Sequence, residues 1–253
     1  MTRPERSAES GEEQGLLTHL VELRSRLLRA VVAVLLVFAA LFPFANRLYA
    51  LIATPLLERL PAGGSMIAID VITPFFTPIK LAFFTAIFIA MPYLLYQAWA
   101  FVAPGLYRHE QRLALPLFLS ATLLFYVGAA FAYFVVMPLV FGFLTGTVPE
   151  GVAMMTDINK YLDFVLMTFL AFGLCFEIPV AVVILVMLGV VTPESLVKHR
   201  GYVIVGAFVV AAIVTPPDAI SQILLAVPMC LLYELGIVAS RAVVARQPKD
   251  AES

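Results

Sequence analysis

Residues 161–190 read YLDFVLMTFLAFGLCFEIPVAVVILVMLGV, and this stretch decides the class of fold. It holds no Lys or Arg and exceeds the about 20 predominantly apolar residues that a membrane-spanning helix needs. Its apolar residues run on without the alternation with polar residues that marks the strands of a membrane barrel. The stretch therefore predicts a transmembrane helix. The same criteria, applied outward along the chain, predict five more spans at residues 27–45, 75–101, 113–144, 201–215 and 220–239.

The composition of the whole chain agrees with this reading. Of its 253 residues, 62% are hydrophobic and 13% are charged, whereas soluble domains average about 45–50% and about 25%. The formal net charge of −1 provides no overall basic field that would gather nucleic acid. We therefore predict an all-α polytopic membrane protein with six transmembrane helices, and we expect no nucleic-acid partner.

The positions of Lys and Arg predict how the spans are oriented. The N-terminal flank, the loops at 102–112 and 191–200 and the C-terminal tail hold most of these residues. The opposite loops hold only Arg47, Arg59 and Lys160. Because short cytoplasmic loops are enriched in Lys and Arg, both termini are predicted to be cytoplasmic. The predicted organisation is a disordered tail at 1–14, a transmembrane domain at 15–241 and a second tail at 242–253.

Prolines and span lengths predict irregular helices. Because proline removes a backbone donor and kinks a helix, the prolines within spans indicate curved helices. These prolines are Pro92, Pro116, Pro138, Pro179 and Pro228. The strictly apolar parts of the last two spans, 201–215 and 220–233, reach only about 21–23 Å against a hydrocarbon core of about 30 Å. The last two helices are therefore predicted to be short, with a thinned bilayer beside them.

Motifs of catalysis and metal binding are absent from the sequence. No nucleophile elbow, HExxH, CxxC, dinucleotide-binding or Walker motif occurs. Cys175 and Cys230 lie in apolar runs without a neighbouring His or Cys, so we interpret them as small buried residues. We predict no enzyme activity, no cofactor and no metal site.

Two carboxylates next to predicted cytoplasmic ends are candidates for binding. Glu22 lies in a segment whose apolar residues form one helical stripe along the membrane surface. A structural alternative is a pair with Arg26 at the i, i+4 spacing. Glu110 precedes the third span, where a carboxylate alternatively complements the positive N-terminal end of the helix. The local sequence leaves both alternatives open.

Glu177 is the most conspicuous carboxylate, since it lies about 24 Å into the fourth span. A carboxylate within a membrane is costly, so it indicates a functional position. It either faces a water-filled concavity, stays neutral, or forms a hydrogen bond between helices. Gln222, near the outer end of the last span, is predicted to donate a hydrogen bond to another helix.

Several motifs together resemble the TatC family, the receptor core of twin-arginine protein translocases. They are HLVELRSRL at 19–27, SMIAIDVITPFFTPIK at 65–80, YQAWAFVAPGLYRHE at 96–110, FEIP at 176–179 and TPPD at 215–218. The resemblance covers roughly residues 16–241. Gln111 departs from relatives that often carry a second basic residue there.

The resemblance implies a concave, cup-shaped bundle in the cell inner membrane. Such a receptor binds twin-arginine signal peptides at its cytoplasmic face and, with TatB and TatA, exports folded proteins on the proton motive force. Self-association in a multi-copy complex and contact with membrane lipids are also implied. The motifs assign the twin-arginine contacts to Glu22 and Glu110, surrounded by Arg24, Phe101, Arg108 and His109.

The resemblance implies roles for four further residues. Pro55 in the outer cap and Asp218 at the outer tip match positions linked to function. Glu177 is the polar group of the concave face, and Gln222 lies where partner helices dock. Without the resemblance, a small-molecule or ion transporter coupled through Glu177 is the leading alternative, followed by a structural membrane scaffold and then an enzyme.

Overall fold

A computed structural model describes residues 3–57, 65–102, 114–146, 155–214 and 219–245, with side chains described from Leu20 onward except at 52–66, 114, 144–145 and 155–156. Helices dominate these residues, and two strands of three residues accompany them. The helices are α1 (Arg3–Leu41), α2 (Ala45–Leu57), α3 (Thr73–Val102), α4 (Ala114–Phe131), α5 (Met137–Gly146), α6 (Ile158–Cys175), α7 (Ile178–Met187), α8 (Pro193–Lys198), α9 (Arg200–Val214) and α10 (Ala219–Val244). The strands are β1 (Ser65–Ile67) and β2 (Met155–Asp157).

Five helical segments of the described chain are long and apolar enough to cross a membrane. They are Leu20–Leu51, Thr73–Val102, Leu115–Phe143, Ile158–Met187 and Ala219–Val244, and the shorter α9 is a sixth apolar helix. The prediction of an all-α polytopic membrane fold is therefore confirmed. Successive spans alternate in direction, so the bundle has two ends. We call the end with the first residues of Leu20–Leu51 and the last residues of α10 the terminal face, and the opposite end the sheet face.

The sheet face takes its name from the two short strands. β1 and β2 pair in parallel, with Ser65 opposite Met155 and Ile67 opposite Asp157. Asp157 then caps α6, since its side chain accepts from the backbone N–H groups of Asn159 and Lys160. The strand pair thus connects the chain before α3 with the chain before α6 at one end of the bundle.

Three of the spans are interrupted, and each interruption contains a proline or lies close to one. A 3₁₀ turn at Phe42–Phe44, which contains Pro43, separates α1 from α2. A π-helical segment at Ala132–Val136 separates α4 from α5 just before Pro138. A turn at 176–177 separates α6 from α7, with Pro179 in the first turn of α7. Proline lacks the backbone N–H donor, and a π-helical segment changes the spacing of the hydrogen bonds, so both interrupt the regular α-helical hydrogen-bond ladder.

Other prolines do not interrupt their helices. α3 continues through Pro92, and α10 continues through Pro228. Pro116 lies in the first turn of α4, where backbone N–H groups have no partner within the helix anyway. Proline alone therefore did not predict where the spans break.

Helix lengths differ from the predictions at both ends of the chain. α9 has 15 residues and spans only about 22 Å, as predicted, whereas α10 has 26 residues and spans about 39 Å. The last helix is longer than the strictly apolar run at 220–233 because Glu234 does not end it and the helix continues through mostly apolar residues to Val244. The backbone of α1 is helical from Arg3, within the segment predicted to be disordered, because Glu, Gln, Ala and Arg all favour helix.

The core lies among the later helices. Phe172 of α6, Ala211 of α9, and Leu225 and Ala226 of α10 are almost completely buried in one cluster with Val136 of the π segment. Glycines allow this close packing: a Cβ at Gly128 would lie 2.5 Å from the backbone oxygen of Phe172. Small residues at helix contacts are typical of membrane bundles, where close backbone approach provides the packing energy.

Candidate functional site

Glu22 lies near the start of the first span, on the terminal face. Its Oε1 accepts hydrogen bonds from Arg26 Nε at 3.0 Å and from Arg26 Nη2 at 2.5 Å. The structure thus contains the i, i+4 pair that the sequence left open as an alternative. The Glu22 side chain is 36% exposed, and the neighbouring Arg24 is exposed. A pair of this kind is worth only about 0.3–0.5 kcal/mol, so a competing cation can replace it at low cost.

Several predicted site residues lie outside the described chain. Arg108, His109 and Glu110 fall in the gap at 103–113, and Asp218 falls in the gap at 215–218. Pro55 belongs to α2, but its side chain is not among those described. The roles assigned to these residues remain predictions.

The end of α3 lies at the terminal face together with the start of the first span. Phe101 is half-buried in the last turn of α3. One turn earlier, Gln97 and Trp99 are buried, and no described group forms a hydrogen bond with Gln97 Oε1. α1 and α3 pack antiparallel, so Phe101 and Glu22 belong to the same end of the bundle. Sequence reasoning missed Gln97, although a lone amide in an apolar run was a signal that could have identified it.

Glu177 lies in the turn between α6 and α7, inside the fourth span. Its backbone remains bonded to both helices, because its N–H donates to Leu174 O at 3.1 Å and its O accepts from Ala181 N at 2.9 Å. Its Oε1 is buried and forms no hydrogen bond with any described group. The predicted interhelical hydrogen bond is therefore not formed by this oxygen. A buried polar atom without a partner costs about 1–3 kcal/mol, so the rest of the fold compensates for it.

Gln222 forms the interhelical hydrogen bond that its position predicted. Its Nε2 donates to Phe208 O at 3.0 Å, which links α10 to α9. The amide therefore holds the two last helices together within this chain. A role in docking partner helices is not tested by this contact and stays a prediction.

Two charged contacts between helices were not assigned from the sequence. At the sheet face, Lys80 Nζ of α3 donates to Asn159 Oδ1 at 2.8 Å and to Asp163 Oδ1 at 2.6 Å on α6. At the terminal face, Arg200 Nη2 of α9 donates to Glu234 Oε2 of α10 at 2.6 Å. Lys80, Asp163 and Arg200 lie near the first residues of their helices, where charge is less costly than at the centre of a membrane. The paired residues lie 83 and 34 positions apart in the sequence, so only the packing of the helices brings them together.

No group of three or more His, Cys, Asp or Glu residues lies close enough to bind a metal within the described part of the chain. Cys175 is buried and Cys230 is half-buried, and both are free thiols.

The fold defines the class of this protein as a polytopic α-helical membrane protein, with polar groups inside its spans and at the terminal face. Comparison with known proteins then identifies the family. The family model described as Sec-independent protein translocase protein (TatC) matches residues 18–228, and the chain belongs to the TatC family.

Relatives with this name are similar over almost their full length. The Sec-independent protein translocase protein TatC of Haemophilus influenzae is 57% identical over 96% of this chain and 93% of that protein. The protein of the same name from Escherichia coli K12 is 55% identical over 93% of this chain and 91% of that protein. A solved structure described as the twin arginine translocase receptor TatC superposes with a TM-score of 0.81 at 40% identity, over 89% of this chain and 99% of that chain.

The protein is therefore a multi-pass membrane subunit of a Sec-independent protein translocase. It belongs to a family of transport receptors, which are not enzymes.

Proposed function

We propose that this protein is the receptor core of a twin-arginine translocase in the cell inner membrane, with both termini in the cytoplasm. The terminal face binds twin-arginine signal peptides of folded precursor proteins. Glu22 and Glu110 contact the two arginines, and Arg24, Phe101, Arg108 and His109 surround them. With TatB and TatA, in a multi-copy complex driven by the proton motive force, the receptor passes folded cargo across the membrane.

The partly exposed carboxylate of Glu22 is the observation that supports this proposal most directly. Among the described side chains, Arg26 contacts only Oε1 of Glu22, which leaves Oε2 for a second donor. A peptide guanidinium has a planar fork that binds a carboxylate bidentately, whereas an ammonium group has not. The competing Arg26 pair is partly exposed and therefore weak. An incoming arginine can share or replace it, and arginine is favoured over lysine.

The carboxylates provide selectivity rather than affinity. Exposed ion pairs contribute about 0–1 kcal/mol each, whereas micromolar binding requires about 8 kcal/mol. The remaining affinity comes from burying the apolar segment of the signal peptide, at about 25 cal/mol per Å². Apolar side chains exposed on the outside of the bundle, such as Leu20, Leu23 and Leu27 beside Glu22, offer such a surface.

Charge supports the proposed orientation. In the described chain the terminal face carries Arg24, Arg29, Lys198, Arg200 and Arg241, all of them exposed. The sheet face carries Arg47, Lys80 and Lys160. Because cytoplasmic loops are enriched in Lys and Arg, the terminal face is the cytoplasmic one. The roles proposed for Pro55 and Asp218 then belong to the opposite side of the membrane, Glu177 contributes the polar group within the bundle, and Gln222 lies in the α9–α10 region proposed to bind partner helices.

Site-specific photocrosslinking tests the receptor role. A photoreactive residue at position 20 or at position 111 is combined with peptides that differ only in Arg-Arg or Lys-Lys. We expect strong crosslinking to the Arg-Arg peptide and a large loss with Lys-Lys. Glu22→Gln and Glu110→Gln should each weaken crosslinking to the Arg-Arg peptide while membrane insertion is retained.

Glu194 provides a matched control, because it is an exposed carboxylate of α8 on the same face. Glu194→Gln removes the same charge and should leave crosslinking unchanged. Equal crosslinking of both peptides, or normal export by the Glu22→Gln, Glu110→Gln double variant, would contradict the proposal. Solute flux in liposomes that contain this chain alone would instead support a transporter.

A further inference from the structure

A groove runs along the outside of the bundle between α1 and α3. It is open along its length, has a volume of about 410 Å³ and is almost entirely apolar. Above it, toward the sheet face, the rings of Phe38 and Phe83 meet with centroids 5.7 Å apart and bring the two helices together. The side chains that line the groove are Leu28, Arg29, Val32, Ala33, Leu36 and Tyr93.

Arg29 is the one charged side chain among these lining residues, and its place along the helix matters. No charged residue follows it until Arg47, so 17 apolar or uncharged residues separate the two. They span about 26 Å as a helix, close to the thickness of the hydrocarbon core. Arg29 therefore lies at the level where the membrane core meets the lipid phosphates.

The surroundings of Arg29 leave its charge available. The side chain is exposed, and its Nη2 donates to the Ser25 hydroxyl at 3.1 Å, which is a neutral acceptor. Ser25 lies one helical turn below Arg29, and its hydroxyl and the guanidinium together offer donors to a phosphodiester at this end of the groove. Charge-assisted hydrogen bonds between arginine and phosphate are strong and bidentate.

We propose that this groove is a binding site for one anionic phospholipid. The receptor role proposed above does not require such a site. The phosphodiester binds Arg29 and Ser25, and one acyl chain lies on Leu28, Val32 and Leu36 against the ring of Tyr93. Arg29, at one end of the groove, attracts an anionic headgroup. The apolar part of a twin-arginine peptide is less favoured as an occupant, because the arginines attached to it would lie near Arg29 and be repelled by its like charge. The occupant is a membrane lipid rather than free phosphate, since most of the lining is apolar.

Native mass spectrometry of the purified full-length protein in detergent tests the headgroup contact. The protein is incubated with equal amounts of phosphatidylglycerol and phosphatidylcholine that carry identical acyl chains. We expect preferential retention of phosphatidylglycerol, and Arg29→Gln should lower this preference about fivefold. Arg241→Gln removes an exposed charge from the last turn of α10 and should leave the preference unchanged.

A second variant tests the acyl-chain contact. Ala33→Phe places a ring in the groove and should lower retention of phosphatidylglycerol by a similar factor. Ala39→Phe is the matched control, because Ala39 is exposed on α1 but does not line the groove.

Three outcomes would overturn the proposal. The first is an unchanged lipid preference in Arg29→Gln, and the second is equal retention in Ala33→Phe and Ala39→Phe. The third is a loss of crosslinking to the apolar part of a signal peptide in Ala33→Phe with unchanged lipid retention, which would identify the groove as a peptide site. Since lipid retention is measured without peptide, its failure is distinct from failure of the receptor role.

Discussion

The first span, which contains most of α1, and the fourth span, formed by α6 and α7, are both strongly apolar, yet they pack differently. None of the residues in the apolar window of Leu20–Leu51 is buried, whereas 33% of those in Ile158–Met187 are. α1 packs chiefly on α3, while α6 and α7 contact α4, α9 and α10. A peripheral span and a core span therefore have similar hydropathy.

The carboxylates of these two spans also differ in how far they are buried. Glu22 is partly exposed and paired with an arginine of its own helix, whereas Glu177 Oε1 is buried without a described partner. An exposed carboxylate can exchange its partner at low cost and is suited to recognition. A buried one is sensitive to every change of its surroundings. Substitution of Glu177 should therefore change the stability of the protein, whereas substitution of Glu22 should change it little.

The largest expected effect is in the core. Gly128→Val places a side chain against the Phe172 backbone, which cannot move without shifting α6. We expect destabilisation by more than about 3 kcal/mol, seen as lost folded protein or a lower melting temperature in detergent. Gly206→Val on α9 is the control, because nothing lies within 4 Å of a Cβ there. Equal losses in both variants would remove the distinction between core and periphery.

Glu177 is expected to show opposite changes of stability and function. Glu177→Leu removes the unpartnered buried oxygen and should stabilise the protein by about 1–2 kcal/mol, while it lowers export of a twin-arginine cargo. Glu177→Gln keeps a polar group and should impair export less. Thermal unfolding and an export assay measure the two effects, and Glu22→Leu should change the melting temperature little. If Leu and Gln have the same export phenotype, hydrogen bonding is not what matters at this position.

Smaller effects are expected for the ion pairs. Lys80 and Asp163 join two helices, so a double-mutant cycle to Ala is expected to give a coupling energy of about 1 kcal/mol. The same cycle for Glu22 and Arg26, which lie on one helix, should give about 0.3–0.5 kcal/mol. A larger coupling for the Glu22 pair would argue against easy replacement of Arg26 by a peptide arginine.

The smallest effect is expected on the outer surface of α1. Leu35 is 51% exposed, and in a membrane its neighbours there are lipid chains as apolar as the side chain itself. Leu35→Ala should therefore change the free energy of unfolding by less than about 0.5 kcal/mol in lipid nanodiscs. A loss of 2 kcal/mol or more would mean that this surface is covered by protein.

Much of the fold was predictable because hydropathy and length act locally. Apolar runs of more than about 20 residues predicted the helical spans, and Gln222 was correctly predicted to bond another helix. Prolines predicted kinks, but α3 and α10 continue through Pro92 and Pro228. Whether a proline breaks a helix depends on how neighbouring helices satisfy the freed carbonyl, which the local sequence does not contain.

Some contacts at the candidate site could also be predicted from the sequence, and others could not. The i, i+4 spacing made the Glu22–Arg26 pair a foreseeable alternative, and the motif resemblance identified the TatC family, which the comparisons confirm. Lys80 with Asp163, and Arg200 with Glu234, were not foreseen as pairs. Their partners lie on separate helices, so their proximity is set by helix packing.

The helical structure, the repeated membrane spans and the family of the chain could all be predicted from its amino-acid sequence, because apolar run length and motif identity are properties of contiguous residues. Helix packing was needed to learn which span is peripheral, which carboxylate oxygen has no hydrogen-bond partner among the described residues and where the apolar groove beside Arg29 opens. Those features depend on which helix faces pack together, and hydropathy is nearly the same on every face of these spans.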